Sequence, residues 1–195
     1  MGKEIIIAST NYGKIKEFDN YFKNFNIKIL SQEKFNIPES KEPHYTFIEN
    51  ALEKARNVYA NINTTIPVLA DDSGICCEAL NGLPGVLSAR YSGENKSSIQ
   101  NNKKLNLELQ KHSNKKVYYI CILVILRHLK DPDPIISYGK LNGLWADNSI
   151  GENGFGYDSH FFIPEYNKTL GQLDINIKNK ISHRAIALKK IINSI

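Results

Sequence analysis

IPVLADDSGICCEALNGLPGVLSARYSG, residues 66–93, is the stretch on which the fold turns. An apolar segment, Ile66 to Ala70, reads as a β-strand that hands two adjacent carboxylates, Asp71 and Asp72, to a Ser73-Gly74 turn. A strand ending in acids can place a metal ligand or a general base at a sheet edge. Two consecutive carboxylates cannot both face one core, so at least one is expected to be exposed. The same string also fits an Asp-rich turn with Asx capping. Beyond it, Gly82 to Tyr91 is a Gly- and Pro-punctuated loop.

The flanking sequence sets the context. Glu4 to Ser9 reads as a buried strand, with Ile5, Ile6 and Ile7 in a row. Thr10 to Lys14 is a polar turn. Lys14 to Phe25 then carries Ile15, Phe18, Tyr21, Phe22 and Phe25 at helical spacing. Ile27 to Leu30 is a short strand, and Phe35 to Tyr45 a loop. Thr46 with Glu49 is a capping box opening a helix to about Asn61, with Phe47, Ala51, Ala55 and Val58 on one face.

After the acidic stretch, Ser97 to His112 is expected to be an amphipathic helix using Leu105, Leu107 and Leu109. Val117 to Arg127 and Ile135 to Leu141 form a hairpin across Asp131-Pro132-Asp133-Pro134. Gly139 to Leu144 continues as strand, Gly151 to Asp158 is a glycine-rich loop and Ser159 to Ile163 another strand. Thr169 to Ile177 holds a turn or short helix. Ser182 to Ile195 is the C-terminal helix. Neither a repeat nor a linker is found. A βα start and a later antiparallel section imply a mixed sheet in an α/β fold.

The chain has 195 residues, 42% of them hydrophobic and 23% charged, ordinary values for one globular domain over 1–195. No apolar run approaches the roughly 20 residues of a membrane span. The N-terminus lacks signal-peptide organisation, and Gly2 is read as preceding a strand rather than as a myristoylation site. Cys76, Cys77 and Cys121 have no metal spacing and read as small core residues of a reduced, cytoplasmic protein. The net charge of +5 permits an anionic partner. Because no strand interleaves basic and aromatic residues, a nucleic-acid-binding module is disfavoured.

Several segments carry chemistry. Ser9-Thr10-Asn11-Tyr12-Gly13-Lys14 lies between strand and helix, where backbone N–H groups, a helix N-terminus and Lys14 suit a phosphate. It is not a Walker A sequence; a plain βα turn reads equally. Glu42 supplies a second acid, of the kind a Mg²⁺ on a triphosphate needs, or is a solvated loop residue. Glu53 reads as solvated. Phe155-Gly156-Tyr157-Asp158, after Gly154, combines close backbone approach, stacking surface and an acceptor, or is a β-turn with core aromatics. Lys178 and Ser182-His183-Arg184 offer donors to a base edge or phosphate, or a capped helix start. Together these describe a nucleoside triphosphate site.

The chain resembles the diphosphatases of non-standard purine nucleoside triphosphates, the ITP/XTP/dITP, Ham1-like or inosine triphosphatase family. The resemblance covers essentially the whole length. It rests on ASTNYGKIKEF (8–18), TFIENALEKA (46–55), DDSGICCEALNGLPGVLSARYSGE (71–94), GENGFGYD (151–158) and KNKISHRAIALK (178–189). It implies an elongated, twisted mixed β-sheet flanked by helices, with two lobes and a central cleft. It implies a homodimer that hydrolyses ITP, dITP or XTP to the monophosphate and pyrophosphate with Mg²⁺. Ser9 to Lys14 then match the triphosphate loop, Asp72 the general base and metal ligand, Glu42 the other metal-site acid and Ser73 a substrate contact. Phe155 to Asp158 match the base loop, and Lys178, His183 and Arg184 the readers of the six-keto edge. Asp71 is left as a supporting acid. Departures fall at His44, Leu87, Ser159 and Gln172. A Maf-like nucleotide pyrophosphatase and a catalytically dead nucleotide sensor are the alternatives.

Overall fold

The computed structural model describes residues 3–95 and 97–194. Among these residues seven strands form one mixed sheet: β1 (Lys3–Ala8), β2 (Ile27–Ser31), β3 (Val68–Cys77), β4 (Lys116–Leu126), β5 (Ile135–Trp145), β6 (Phe161–Ile163) and β7 (Lys168–Thr169). Their order across the sheet is β2-β1-β3-β4-β5-β6-β7. The α-helices among the described residues are α1 (Tyr12–Lys23), α2 (Phe47–Asn61), α3 (Ser98–Leu109), α4 (Ile175–Ile181) and α5 (His183–Ile191). The α/β class and the mixed sheet agree with the sequence.

The chain clusters into two compact units. The first holds residues 1–72, 122–138 and 187–195. There β1 pairs in parallel with β2, Ile5 against Ile29, and with β3, Ala8 against Ala70. Parallel neighbours need a crossover connection, and α1 supplies the one between β1 and β2. Ile5, Ile6, Ile7, Val68, Leu69 and Ala70 are all buried, as expected for strands covered on both faces. Phe18 and Phe22 of α1, and Ala51, Ala55 and Val58 of α2, are sealed inside. These apolar stripes recur every three or four residues, which is why the segments are helices.

The second unit holds residues 73–121 and 139–186. β5 pairs antiparallel with β6, Leu144 against Phe162, and β6 with β7, Phe162 against Thr169. Its core includes Ile75, Tyr91, Leu105, Leu109, Trp145 and Phe161. Leu107 does not join this core and is 54% exposed. Leu105 and Leu109 are four residues apart and share a helix face, whereas position 107 falls off it.

The larger revision concerns residues 71–77. No turn follows Ala70; β3 runs on through Asp71, Asp72, Ser73 and Gly74 to Cys77. Both acids are buried, at 1% and 4% exposure, against the expectation that one would be exposed. Successive side chains on a strand point to opposite faces. Each carboxylate therefore avoids its neighbour and finds its own cation. The three cysteines are free and buried, as read from the sequence. The C-terminal helix ends at Ile191 and a 3₁₀ turn follows to Ser194. Gly2 and Ile195 lie outside the described residues.

Candidate active site

In the first unit, the acids begin where β1 stops, past the Ala8–Ala70 pair. Ligands of open α/β sheets gather at such carboxyl ends of parallel strands. Asn11 caps α1, its side chain accepting from the Lys14 amide at 3.1 Å, and Ser9 Oγ accepts from the Asn11 amide at 3.2 Å. That leaves the Tyr12 and Gly13 amides at the helix mouth without intrahelical partners. From the first turn of α1, the Lys14 ammonium forms an ion pair with Asp71.

Lys54 of α2 is the hub of this unit's polar cluster. Its Nζ lies 2.5 Å from Glu42 Oε1, 2.6 Å from Asp72 Oδ1 and 3.2 Å from the Asp71 carbonyl oxygen. An ammonium has three donors, and three acceptors use them. Burial works against the charge on Lys54, but Asp72 and Glu42 outweigh it and raise its pKa above the ordinary lysine value. Burial also raises the pKa of Asp72, opposed by Lys54 and Lys14 and reinforced by Glu42. Asp72 Oδ2 is buried with no hydrogen-bond partner among the described residues. A buried acceptor left open in this way calls for an external donor or cation.

No three His, Cys, Asp or Glu side chains form a metal-binding group among the described residues. A Mg²⁺ ion does not need one. It binds through one or two carboxylates and completes its shell with water and phosphate oxygens. Glu42 and Asp72, hard oxygen donors joined through Lys54, fit that donor set.

The second unit organises a different set. Asp158 is buried and accepts from the Phe155 amide at 2.9 Å, from Lys178 Nζ at 2.8 Å and from the Tyr119 hydroxyl at 3.3 Å. This closes the Gly154–Asp158 loop on itself. Gly154 has φ of +87°, and a Cβ there would lie 2.2 Å from Asp158 Oδ2, so only glycine fits. Lys178 Nζ stands 4.8 Å from the Phe155 ring centroid, and Phe155 stays 42% exposed, available for stacking. The His183 ring stacks on Tyr119 at 4.5 Å, with 12° between planes. Arg184, 2% exposed, donates to Ser73 Oγ at 3.0 Å. Tyr157 faces inward, its hydroxyl donating to the Ser88 carbonyl at 2.7 Å.

The first unit thus offers cations, open amides and a carboxylate oxygen. The second offers an aromatic face and a ring of polar readers. The sequence profile of the Ham1 family matches residues 5–194. The chain belongs to the Ham1 family. It is 50% identical over 194 residues to a dITP/XTP pyrophosphatase of Neisseria meningitidis serogroup B, covering 99% of this chain and 96% of that one. It is 48% identical over 188 residues to a dITP/XTP pyrophosphatase of Chromobacterium violaceum, covering 96% and 94%. A solved HAM1 protein from Coxiella burnetii shares 36% identity with a TM-score of 0.91, covering 98% of both chains. The Staphylococcus aureus Ham1 protein shares 37% with a TM-score of 0.86, covering 98% and 97%.

For this Ham1 chain, the residues named from sequence fall into two sets. Lys14, Asp71, Asp72 and Glu42 gather in the first unit. Ser73 and Arg184 form one contact in the second, and Phe155, Asp158 and Lys178 another. Tyr157 packs in the core of the second unit. Sequence reasoning missed Lys54 and Tyr119. Lys54 lies one helical turn after Asn50, on a face flanked by buried Ala51, Ala55 and Val58, and a lysine there is a signal in itself. Tyr119 gave none beyond its place in an apolar strand. No helix among the described residues is long and apolar enough to cross a membrane.

Proposed function

We propose that this protein hydrolyses ITP, dITP and XTP to the monophosphate and pyrophosphate. One observation carries the reading. In a chain related over its full length to named dITP/XTP pyrophosphatases, a buried carboxylate of raised pKa keeps one oxygen open beside a second acid and two lysines. Asp72 is the general base. Its Oδ1 is fixed by Lys54, so Oδ2 faces the water that attacks the α-phosphorus. The water loses its proton to Asp72, the bond from the α-phosphorus to the bridging oxygen breaks, and pyrophosphate leaves with that oxygen. Lys14 and the Tyr12 and Gly13 amides receive the phosphates, Lys14 exchanging Asp71 for them. Glu42 and Asp72 would hold Mg²⁺, which when bound would neutralise charge on the phosphate oxygens.

Phe155 stacks on the base. Lys178, His183 and Arg184 supply donors to O6; adenine carries there an amino group, itself a donor, which cannot accept from them. One catalytic domain over 1–195, a homodimer and a cytoplasmic setting belong to the same proposal. The test is a substrate panel with Mg²⁺: ITP, XTP and dITP against ATP and GTP. Pyrophosphate release is expected to be far faster from the first three. Asp72→Asn should remove turnover while leaving the circular dichroism spectrum unchanged. Equal rates on ATP would overturn the specificity, and an active Asp72→Asn protein would move the base elsewhere, Asp71 first.

A further inference from the structure

The segment between Asn36 and Thr46 has no regular secondary structure, yet it carries Glu42. Something must hold a loop of this length if its acid is to sit at a fixed place. Three side chains of α2 make polar contacts to it among the described residues. Asn57 Nδ2 donates to the Pro38 carbonyl at 2.9 Å. Lys54 pairs with Glu42. Asn50, completely buried, accepts from the His44 amide at 3.0 Å and donates to the His44 carbonyl at 3.2 Å. Positions 50, 54 and 57 share one helix face. The loop runs along that face antiparallel to the helix: 57 to 38, 54 to 42, 50 to 44.

The two asparagines hold backbone, not side chains. A carboxamide carries both a donor and an acceptor, so Asn50 pairs with His44 as a neighbouring strand would. An aspartate would lack the donor and an alanine both groups. The His44 side chain takes no part in either bond. The clamp asks only for a backbone N–H and C=O, which any residue except proline supplies.

We propose that Asn50 and Asn57 are positioning residues for Glu42, fastening its loop to α2 on either side of the Lys54 ion pair. The proposal rests on the reading of Glu42 as a metal-site acid. Two measurements test it without turnover, on Asn50→Ala, Asn57→Ala, Glu42→Gln and the parent protein. The first is native-state trypsin cleavage after the exposed Lys41. The second is affinity for Mn²⁺ alone, read by electron paramagnetic resonance. Cleavage should quicken about 10-fold in Asn50→Ala and about 3-fold in Asn57→Ala, in step with the number of hydrogen bonds lost. Mn²⁺ should bind about 5- to 10-fold more weakly to Asn50→Ala, and the Mg²⁺ concentration half-saturating ITP hydrolysis should rise by a similar factor. If Asn50→Ala does not fold, Asn57→Ala decides by the same readouts. Parental cleavage and parental Mn²⁺ affinity in the asparagine variants, while Glu42→Gln loses Mn²⁺, would overturn the fastening. Parental Mn²⁺ affinity in Glu42→Gln would instead overturn the metal reading of Glu42, and the positioning role with it.

Discussion

Replacing Lys54 by methionine separates the charge of this residue from its packing. The apolar stem remains, and Glu42, Asp72 and the Asp71 carbonyl all lose their donor. Removing one partner of a buried ion pair costs about 3–5 kcal/mol, because the other charge stays buried and unpaired. The Lys54 side chain is 12% exposed, so solvent screening discounts this little. At about 2–4 °C per kcal/mol for a chain of this size, the melting temperature should fall by about 6–20 °C at pH 8. The pH dependence gives a sharper signature. Burial already raises the Asp72 pKa, and Lys54 is the foremost influence opposing it. Without Lys54, the folded-state pKa rises further above the unfolded value. Such a carboxyl favours folding below its unfolded pKa, and that contribution is lost as pH rises through the folded pKa. The parental Lys54, raised above the ordinary lysine value, contributes fully below about pH 10 and is constant across the range tested. The stability gap should therefore narrow as pH falls from 8 to 5. Urea unfolding followed by circular dichroism at each pH measures it. Equal midpoints at pH 8, or a gap independent of pH, would refute the account of Lys54 as the hub.

Three further outcomes are expected. Gly154→Ala combines a positive φ with a Cβ 2.2 Å from Asp158 Oδ2, so it should cost about 1–3 kcal/mol and raise KM for ITP; an unchanged KM would show that the Phe155 loop does not meet substrate. Leu105→Ala should cost about 2–5 kcal/mol by chemical denaturation and Leu107→Ala under about 0.5, since only Leu105 is buried; equal losses would contradict the packing of α3. Burial pushes the Cys76 thiol up to about 11 and the Cys77 thiol up to about 12. At pH 8 the Cys76 thiol is then far less ionised than a free cysteine, so iodoacetamide should leave the native protein unmodified and label three thiols in urea; rapid native labelling would count against this burial.

Much of the scaffold was legible because it is written in local periodicity. Phe18 and Phe22 mark the inner face of α1, and Thr46 with Glu49 marks the start of α2. Thr46 Oγ1 accepts from the Glu49 amide and donates to the Glu49 carboxylate at 2.6 Å, a variation on the box that the spacing alone could not distinguish. The β3 error has the opposite cause. Asp-Asp-Ser-Gly is turn-like by composition, and only partners distant in sequence, Lys14 and Lys54, make it tolerable as buried strand. Tertiary satisfaction overrode local propensity there. The same distance in sequence separates Lys54 and Tyr119 from the acids they touch.

The two adjacent acids are separated by strand alternation and by the cation each one meets. Asp71 faces Lys14, whose ammonium is its ion-pair partner. Asp72 faces Lys54, which it shares with Glu42 and which secures Oδ1 alone. A one-residue shift of β3 would exchange these environments, because the side-chain period of a strand is two. The Ala8–Ala70 pairing fixes the register and so fixes which aspartate lies beside the second acid. The proposed choice of Asp72 as base thus rests on a pairing between apolar residues. Ile6, Ile7 and Ala8 pair with Val68, Leu69 and Ala70, the register that sets the Asp72 carboxylate beside Lys54 and Glu42.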